Sequence, residues 1–410
     1  MTQESARGTW TRATQDMAHT EAGAAVDNAM HVAIAGMGLI GGSIARRLVA
    51  RGVRVTAWNH RPHPYEMARA AGIACVDSLA DLACAGADVL VLAVPLKAMA
   101  ATLDALAPVL PQGTTLTDVG SVKAQVRREV AEAGLLDRYV GGHPMAGNEK
   151  SGYAAADPAL FDDALWALTF DRSTDRARFD LVARMVTEGL GNTFIALDDE
   201  THDHAAALIS HMPHVVSTAL SNRLVADPNA NIAAALAAGC WRDMTRVSLT
   251  DPDRTRAMVE EDPYVPALLR DVAARLNAVA DALERGGAEG DRMLTAFFAE
   301  ADPFRAYKAP DAPAATVGEL VVPVDGAVGV PVDGGAPVPD MPVSDVSDVS
   351  DVSDVSDVSG TSREDVVHDG HGDAGADWRA AFLESARRGE RVARVLGDGR
   401  YEVGRRSLVR

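Results

Sequence analysis

Apolar runs and helical apolar spacing alternate over the first half of the chain. Short apolar runs predict strands beginning at 31 and over 53–59, 88–94, 114–119, 139–142, 165–170 and 193–197. Apolar residues at helical spacing predict helices over 43–50, 65–71, 98–106 and 122–133. Such alternation predicts a parallel sheet that is covered by helices on both faces. We therefore predict an α/β domain with a doubly wound sheet over residues 30–198.

The pattern changes after Asp198, where the predicted strands stop. Helical apolar spacing continues over 203–223, 232–238, 253–260 and 266–284. Pro213 lies inside the first of these helices and should kink it toward the cleft between the domains, because proline frees a carbonyl of the preceding turn. We predict an all-α second domain over residues 199–308.

The remaining segments are set apart by composition. Residues 1–29 are polar with mixed charge and predict a disordered leader without the apolar core of a secretory signal. Residues 309–377 predict a disordered, acidic, low-complexity insertion, since they contain a tandem Ser-Asp-Val repeat from Ser344 to Ser359. Amphipathic spacing from Trp378 to Leu396 predicts a helical C-terminal tail over residues 378–410 that continues the second domain.

Charge, apolar run length and cysteine content limit the partners and the cellular compartment that we expect for this protein. The formal net charge of −19 over 410 residues argues against nucleic acid or an anionic membrane as a partner. The longest apolar run, Val89 to Leu96, is too short to span a bilayer. Three cysteines without a CxxC pair fit a reducing compartment, and we expect a cytoplasmic protein.

A glycine-rich turn follows the first predicted strand and opens a helix. In Gly36-Met-Gly-Leu-Ile-Gly41 the first glycine permits a tight turn, the second lets backbone approach a pyrophosphate, and the third allows close packing of helix on strand. The free N–H groups of the helix then face the phosphates. We predict a Rossmann-like dinucleotide-binding domain, with cofactor contacts from Gly36, Gly38, Leu39, Ile40, Gly41, Val94 and Pro95.

The end of the second predicted strand bears on the choice between NAD and NADP. An NAD enzyme usually has Asp or Glu there for the ribose 2′-hydroxyl, whereas this chain has Asn59. Asn59 does not repel a 2′-phosphate, and Arg61 could bind one. The alternative is that Arg61 is a solvated loop residue. Both residues are predicted cofactor contacts, and the cofactor is NAD or NADP.

Three further motifs appear in order along the chain. They are Asp118-Val-Gly-Ser-Val-Lys123, Gly142-His-Pro-Met-Ala-Gly-Asn-Glu-Lys-Ser-Gly152 and Ser210-His-Met-Pro-His214. With this combination the chain, over about residues 30–307, resembles the prephenate and arogenate dehydrogenases. The resemblance implies oxidative decarboxylation of prephenate on the route to tyrosine, with hydride transfer to NAD(P)+.

The resemblance and the chemistry together imply the site residues. His143, at the end of a predicted strand, is the expected proton acceptor. Ser121 is expected to hydrogen-bond the substrate hydroxyl or to orient His143, and it could also simply cap a helix. Arg246 matches the arginine that binds a substrate carboxylate, which a guanidinium holds through two hydrogen bonds. The other expected substrate contacts are His214, Asn148, Glu149 and Ser151.

Several alternatives bear on individual residues. His211 and His214, with His202 and His204 nearby, raise the possibility of a metal site. Hydride transfer needs no metal and no Cys or carboxylate completes a zinc spacing, so we predict none. His211 is then structural. The chain departs from the family at Arg254 and Thr255, where an aromatic residue is often found.

Alternatives for the whole protein remain. Arogenate is a second substrate candidate, although Asn148 stands where an acidic residue would favour the ammonium group of arogenate. A 3-hydroxyacid-type dehydrogenase would use a lysine of the helical domain, and no lysine lies between Asp198 and Tyr307. A non-enzymatic dinucleotide sensor would not need His143, His214 and Arg246 together. The resemblance implies that the second domain forms a homodimer.

Overall fold

The computed structural model describes residues 30–148, 150–260, 262–309, 315–323, 377–405 and 408. Within them, eleven strands form a single sheet in the order β3-β2-β1-β4-β5-β6-β7-β8-β10-β11-β9. The strands are β1 (His31–Ala35), β2 (Arg54–Trp58), β3 (Ala74–Cys75), β4 (Val89–Leu92), β5 (Thr115–Asp118), β6 (Tyr139–Pro144), β7 (Leu165–Phe170), β8 (Thr193–Asp198), β9 (Thr316–Val321), β10 (Glu390–Gly397) and β11 (Arg400–Arg405).

Parallel strands β1 to β6 form the dinucleotide-binding half of the sheet. β1 pairs with β2 on one side and with β4 on the other, so the strand order reverses beside β1. Ligands of open α/β sheets bind at such a reversal, beyond the carboxyl ends of the strands. Every residue of β1 and β4 is buried, as expected for strands that are covered on both faces. The predicted fold class is confirmed.

Strand β7 departs from the predicted parallel arrangement. β6 and β7 run antiparallel, with His143 opposite Ala167. Parallel neighbours need a crossover connection, usually through a helix. The described residues of the connection between β6 and β7 form no α-helix, only short 3₁₀ turns at Tyr153–Ala155 and Pro158–Phe161, and the chain turns back beside β6 instead.

Helices cover both faces of the sheet, and two of them, over 79–83 and 176–184, were not predicted. They are α1 (Leu39–Ala50), α2 (Tyr65–Ala70), α3 (Leu79–Ala83), α4 (Met99–Leu106), α5 (Lys123–Glu132) and α6 (Arg176–Arg184). Leu48 and Ile44 of α1 are fully buried against one face of the sheet, and Leu103 and Leu106 of α4 against the other. Two hydrophobic cores, one on each face, hold the domain together.

The second domain is helical from Asp199 to Lys308. Its helices are α7 (Asp199–Ala206), α8 (Met212–Val225), α9 (Ala230–Leu236), α10 (Gly239–Thr245), α11 (Pro252–Glu260), α12 (Val265–Arg285), α13 (Gly287–Ala299) and α14 (Asp302–Lys308). A π-helical turn, Ala207–His211, separates α7 from α8 just before Pro213, where a carbonyl lacks its usual N–H partner. No helix in the described part of the chain is long and apolar enough to cross a membrane.

The C-terminal segment differs from the predicted helical tail. Residues 378–387 do form a helix, α15 (Trp378–Arg387), but β10 and β11 follow it as an antiparallel hairpin. The missed signal is the turn Gly397-Asp398-Gly399, in which all three residues have positive φ. From Arg400 to Val403, exposed or half-exposed residues alternate with the buried Tyr401 and Val403, which is the period of a strand.

Strand β9 lies within the predicted disordered insertion. Thr316–Val321 pairs antiparallel with β11 along its whole length and buries Leu320. The prediction of disorder is therefore wrong for these residues. Residues 1–29, 310–314 and 324–376, which contain the predicted leader and the Ser-Asp-Val repeat, lie outside the described residues.

Helix α15 packs on the first domain and does not continue the second. Trp378 and Phe382 are buried against Phe170, Phe179 and Phe194 of that domain, with ring centroids 5.2–6.4 Å apart. Aromatic rings of this size contribute strongly to a core. The segment thus completes the apolar core beyond β8, where the sheet would otherwise end.

The two ends of segment 324–376 lie close together. The Arg176 guanidinium donates to the carbonyl of Pro323 at 3.3 Å and stacks 5.2 Å from the ring centroid of Trp378. One side chain therefore contacts both the last described residue before the segment and the helix that follows it. A short bridge can join these ends without displacing β9 or α15.

We predict that replacing residues 324–376 by a short Gly/Ser bridge leaves the melting temperature and turnover close to those of the full chain. The matched variant, which replaces residues 315–376, also removes β9. We expect it to lose about 1–3 kcal/mol of unfolding free energy, since Leu320 is removed from the core. Thermal unfolding of the two variants checks this, and equal loss in both would show that 324–376 has a structural role.

Candidate active site

The glycine turn has the geometry that a dinucleotide-binding loop needs. Gly36 has φ +107°, and a Cβ there would lie 2.5 Å from the carbonyl oxygen of Ala93. A Cβ on Gly41 would lie 2.1 Å from the carbonyl oxygen of Gly36, whereas one on Gly38 meets no atom within 4 Å. Gly36 and Gly41 thus allow the turn to close, and Gly38 leaves its backbone accessible. These residues fit a pyrophosphate at the start of α1.

The remaining predicted cofactor contacts surround this turn. Val94 and Pro95 follow the end of β4, and the Val94 nitrogen is 3.1 Å from a Cβ built on Gly36. Leu39 is buried, and Ile40 is half-buried against the apolar core. Asn59 braces the turn: its Oδ1 accepts from the Met37 N–H at 2.8 Å and its Nδ2 donates to the Arg61 carbonyl at 2.7 Å. The Arg61 side chain itself is exposed.

A buried ion pair between Asp118 and Lys123 fixes the end of β6. Both side chains are fully buried. Asp118 also accepts from the Tyr139 hydroxyl at 2.8 Å and from the Gly142 N–H at 3.1 Å. Lys123 donates to the Gly142 carbonyl at 2.8 Å. Both the N–H and the carbonyl of Gly142, the residue just before His143, are therefore hydrogen-bonded to this ion pair.

His143 lies at the carboxyl end of β6 and contacts a second histidine. Its Nδ1 is 2.9 Å from Nε2 of His202, and Nδ1 of His202 is 2.8 Å from Oδ1 of Asp203. Burial, followed by the effects of His202, Lys123 and His211, holds the pKa of His143 well below its usual value. His143 is consequently a neutral imidazole near pH 7, which is the form that accepts a proton.

Ser121 lies beside this arrangement and does not cap the helix that follows it. The residue at the helix cap is Val122, which has no side-chain hydrogen bond. Asp203 of the second domain takes that role, because its two oxygens accept from the backbone N–H groups of Lys123 and Ala124 at 2.7 and 2.9 Å. The Ser121 hydroxyl is thus not required for capping, and it is half-exposed.

His211 and His214 differ in their surroundings. His211 is fully buried, with Nδ1 2.6 Å from Oδ2 of Asp262. Burial lowers the pKa of His211 despite the opposing effect of Asp262. His214 is half-buried, and its Nδ1 is 2.9 Å from the Ser210 carbonyl. Among the described residues, no three His, Cys, Asp or Glu side chains converge as metal ligands would.

Arg246 follows α10, and the segment around it packs against α8, which carries His214. Ser217 of α8 donates to the Met244 carbonyl at 2.9 Å, and Ser221 is 2.8 Å from Ser248. Arg246 is exposed and forms no hydrogen bond or ion pair with the residues that the structure describes. Arg242, one turn earlier, is exposed and 3.6 Å from Asp243.

The loop after β6 carries the other expected substrate contacts. Asn148 Oδ1 accepts from the Lys150 N–H at 2.9 Å, which leaves the Asn148 NH₂ group as a donor. Ser151 is exposed, and Glu149 lies outside the described residues. An Arg254 nitrogen is 4.0 Å from a Cβ built on Gly147, so the segment that departs from the family reaches this loop.

Sequence reasoning missed four residues that shape the site. Asp118 and Lys123 were recognised only as ends of a motif, His202 only as a neighbour of a rejected metal site, and Asp203 only as the start of a predicted helix. Asp203 lies on a helix face with the buried Ala206 and Ala207. A charged residue on such an apolar face indicates a buried carboxylate that accepts hydrogen bonds. The partners of Asp203, however, lie about 80 residues away in the chain.

Comparison with known proteins agrees with this geometry. Residues 44–195 match the family described as "Prephenate dehydrogenase, nucleotide-binding domain", and residues 198–299 match "Prephenate dehydrogenase, dimerization domain". The chain is 34% identical over 230 residues to a prephenate dehydrogenase of Bacillus subtilis, covering 54% of this chain and 61% of the relative. It is 31% identical over 273 residues to the cyclohexadienyl dehydrogenase of Zymomonas mobilis, covering 65% and 92%.

Solved structures agree as well. A prephenate dehydrogenase from Aquifex aeolicus, crystallised with hydroxyphenyl propionate and NAD+, superposes with a TM-score of 0.61 at 28% identity, covering 67% of this chain and 97% of that one. The arogenate dehydrogenase of Synechocystis superposes with a TM-score of 0.58 at 28% identity, covering 67% and 100%. Both matched domains and these relatives show that the chain belongs to the prephenate dehydrogenase family.

Proposed function

We propose that this chain is a prephenate dehydrogenase, which converts prephenate to 4-hydroxyphenylpyruvate and carbon dioxide with reduction of NAD(P)+ in tyrosine biosynthesis. The observation that carries the proposal is the neutral His143, held at the carboxyl end of β6 in the same sheet whose glycine turn suits a dinucleotide. Oxidation of an alcohol needs both a proton acceptor and a hydride acceptor. The nicotinamide, when bound, supplies the hydride acceptor.

His143 then handles the proton. Its Nε2 accepts the proton of the substrate hydroxyl while the C–H bond of the carbinol carbon breaks and its electron pair leaves as hydride. The oxygen becomes a carbonyl, and loss of carbon dioxide returns two electrons to the ring, which becomes aromatic. His143 can give its proton back to the phenolate oxygen, so the imidazole ends neutral. The half-exposed Ser121 is proposed to hydrogen-bond the same hydroxyl.

Arg246 is proposed to bind a carboxylate of the substrate. It is a cation without a partner among the described residues, on a segment packed along the His214 helix. In a chain with a net charge of −19, a dianionic substrate needs such a local cation. His214 is proposed to contact the substrate side chain, together with Asn148, Glu149 and Ser151 of the loop after β6.

Prephenate is favoured over arogenate by the hydrogen bonding of Asn148. The Lys150 N–H occupies the amide oxygen, so Asn148 presents donors rather than acceptors. Donors suit the ketone of prephenate and do not suit the ammonium group of arogenate. Arogenate remains the second candidate because relatives include an arogenate dehydrogenase and a cyclohexadienyl dehydrogenase.

We further propose a cytoplasmic homodimer formed through the helical domain. Large apolar side chains on this domain are exposed in the single chain, among them Val225, Leu236 and Leu249, at 79%, 78% and 74%. Exposed large apolar side chains are often covered by a second subunit, which supports the proposal. Three free cysteines, two of them exposed, fit a reducing compartment.

The function is tested by initial rates of NADH and NADPH formation with prephenate and with arogenate. We expect kcat/KM for prephenate to exceed that for arogenate about tenfold or more, since an unpaired donor facing the ammonium costs ~1–3 kcal/mol. Equal or better use of arogenate would contradict the choice of substrate. Inactivity with both substrates, under conditions where cofactor binds, would contradict the function.

His143 generates a prediction about pH. The base works only when neutral, so kcat/KM falls as pH decreases through the pKa of His143. Because that pKa is lowered, we expect the acid limb to lie below the ordinary histidine value of about 6.5. His143→Asn should abolish this limb and lower kcat ~10²–10⁴-fold with cofactor affinity unchanged. Near-normal turnover of the variant would exclude His143 as the base.

Arg246 generates a prediction about substrate affinity. In Arg246→Ala we expect KM for prephenate to rise at least ~30-fold, equivalent to about 2 kcal/mol, because a charge-assisted contact is lost. The matched control is Arg242→Ala, one helical turn away, which should leave KM within about twofold. If both variants bind prephenate as the unmodified chain does, another cation holds the carboxylate.

A further inference from the structure

A continuous chain of hydrogen bonds runs from Asp203 through His202 to His143. The two links measure 2.8 and 2.9 Å, and the rings of the two histidines meet edge to face with centroids 5.1 Å apart. His202 and Asp203 are both 2% exposed. A buried imidazole between a carboxylate and a second imidazole has a definite donor and acceptor at each end.

The charge of Asp203 determines which atom donates and which accepts in each of these hydrogen bonds. Burial alone would raise its pKa, but hydrogen bonds from His202 and from the backbone N–H groups of Lys123 and Ala124 lower the pKa below its ordinary value. An ionised carboxylate only accepts, so Nδ1 of His202 is the donor. With one proton, on Nδ1, His202 has a lone pair on Nε2, which accepts from His143. The proton of neutral His143 therefore lies on Nδ1, and its lone pair on Nε2.

We propose that His202 and Asp203 are positioning residues that fix the Nδ1–H tautomer of His143 and so reserve its Nε2 for the substrate proton. This inference rests on the proposed function of His143 as base. When Nε2 takes the proton, the Nδ1–H remains bonded to His202, and the positive charge is balanced through His202 by the carboxylate of Asp203. No proton has to leave the site before the phenolate is formed.

The hydrogen bonds between Asp203, His202 and His143 also join the two domains at the site. His143 belongs to β6 of the first domain, whereas His202 and Asp203 belong to α7 of the second. The same carboxylate caps α5, just after Ser121. Separation of the domains would therefore remove the tautomer control of His143 and the cap beside Ser121 together.

Other charged groups near His143 are already committed to partners. Lys123 is paired with Asp118 and bonded to the Gly142 carbonyl, and His211 is bonded to Asp262. His202 is the one described side chain within hydrogen-bond distance of Nδ1 of His143. Tautomer control therefore depends on His202 rather than on these groups.

The first experiment compares His202→Leu with His204→Leu. His204 is exposed on the same helix and does not contact His143, so it is the matched control. We expect His202→Leu to lower kcat about 10- to 10³-fold and to shift the acid limb of kcat/KM, since His202 is the hydrogen-bond partner of Nδ1 of His143. KM for the cofactor should not change, and His204→Leu should match the unmodified enzyme.

Two conservative variants separate positioning from packing. In His202→Gln the amide NH₂ can still donate to Asp203 while its oxygen accepts from His143, so we expect most of the activity to return. In Asp203→Asn the amide oxygen can keep the place of Oδ1, which accepts from both Nδ1 of His202 and the Lys123 N–H, but the negative charge that balances a protonated His143 is lost. We therefore expect kcat to fall while His143 keeps its proton on Nδ1, even where circular dichroism shows the variant folded.

The tautomer itself is read by ¹⁵N NMR of the full-length, histidine-labelled protein, with His143 assigned through His143→Asn. We expect protonated Nδ1 and unprotonated Nε2 in the unmodified protein, and a shift toward Nε2–H in His202→Leu. The inference is overturned if His202→Leu equals His204→Leu in kcat, pH profile and tautomer. Should the protein not oxidise prephenate, the proposed function fails, and the spectra still decide whether the tautomer control exists.

Discussion

The buried ion pair of Asp118 and Lys123 is the interaction on which the site depends. The Asp118 carboxylate accepts hydrogen bonds from four groups, which are the Lys123 ammonium, the Tyr139 hydroxyl and the N–H groups of Gly120 and Gly142. Two charges that are buried away from water are tolerated only when they pair with each other and their remaining hydrogen-bonding capacity is satisfied. Loss of either partner would leave the other as an unpaired buried charge. The pair ties the end of β5, the start of α5 and the end of β6 together, and His143 follows directly.

Electrostatics in the rest of the site follow from this anchoring. With the end of β6 fixed, the His143 ring lies against His202 and near Lys123 and His211, all of which disfavour a positive charge on it. The second domain contributes a carboxylate to each of the two inner histidines, Asp203 to His202 and Asp262 to His211. The result is a site built from both domains, with His143 as the proposed base and the exposed Arg246 as the cation proposed to meet an anionic substrate.

Local sequence features were sufficient to predict those parts of the protein that depend on neighbours in the chain. The glycines of 36–41 specify a turn whatever lies elsewhere, and the apolar runs specify buried strands. The position of His143 near the carboxyl end of β6 could be predicted because it follows such a run, and its role as base stays a prediction. Each of these inferences uses residues within one element or at its boundary.

Contacts between distant segments could not be predicted in this way. The bond between His143 and His202 joins residues 59 positions apart, and Asp203 meets the start of α5 across 80 positions. Strand β9 pairs with β11 across a segment whose composition resembles neither. Apolar spacing at Trp378 and Phe382 correctly indicated a buried helix face, but not that the aromatic cluster of the first domain covers it.

We propose that this site removes hydride and carbon dioxide from one substrate molecule while His143 holds its proton. Prephenate that carries deuterium on the carbinol carbon tests this most directly. We predict that deuterium appears in the reduced nicotinamide, with one carbon dioxide released per label transferred. Reduced cofactor without the label, or label transfer without loss of carbon dioxide, would contradict it.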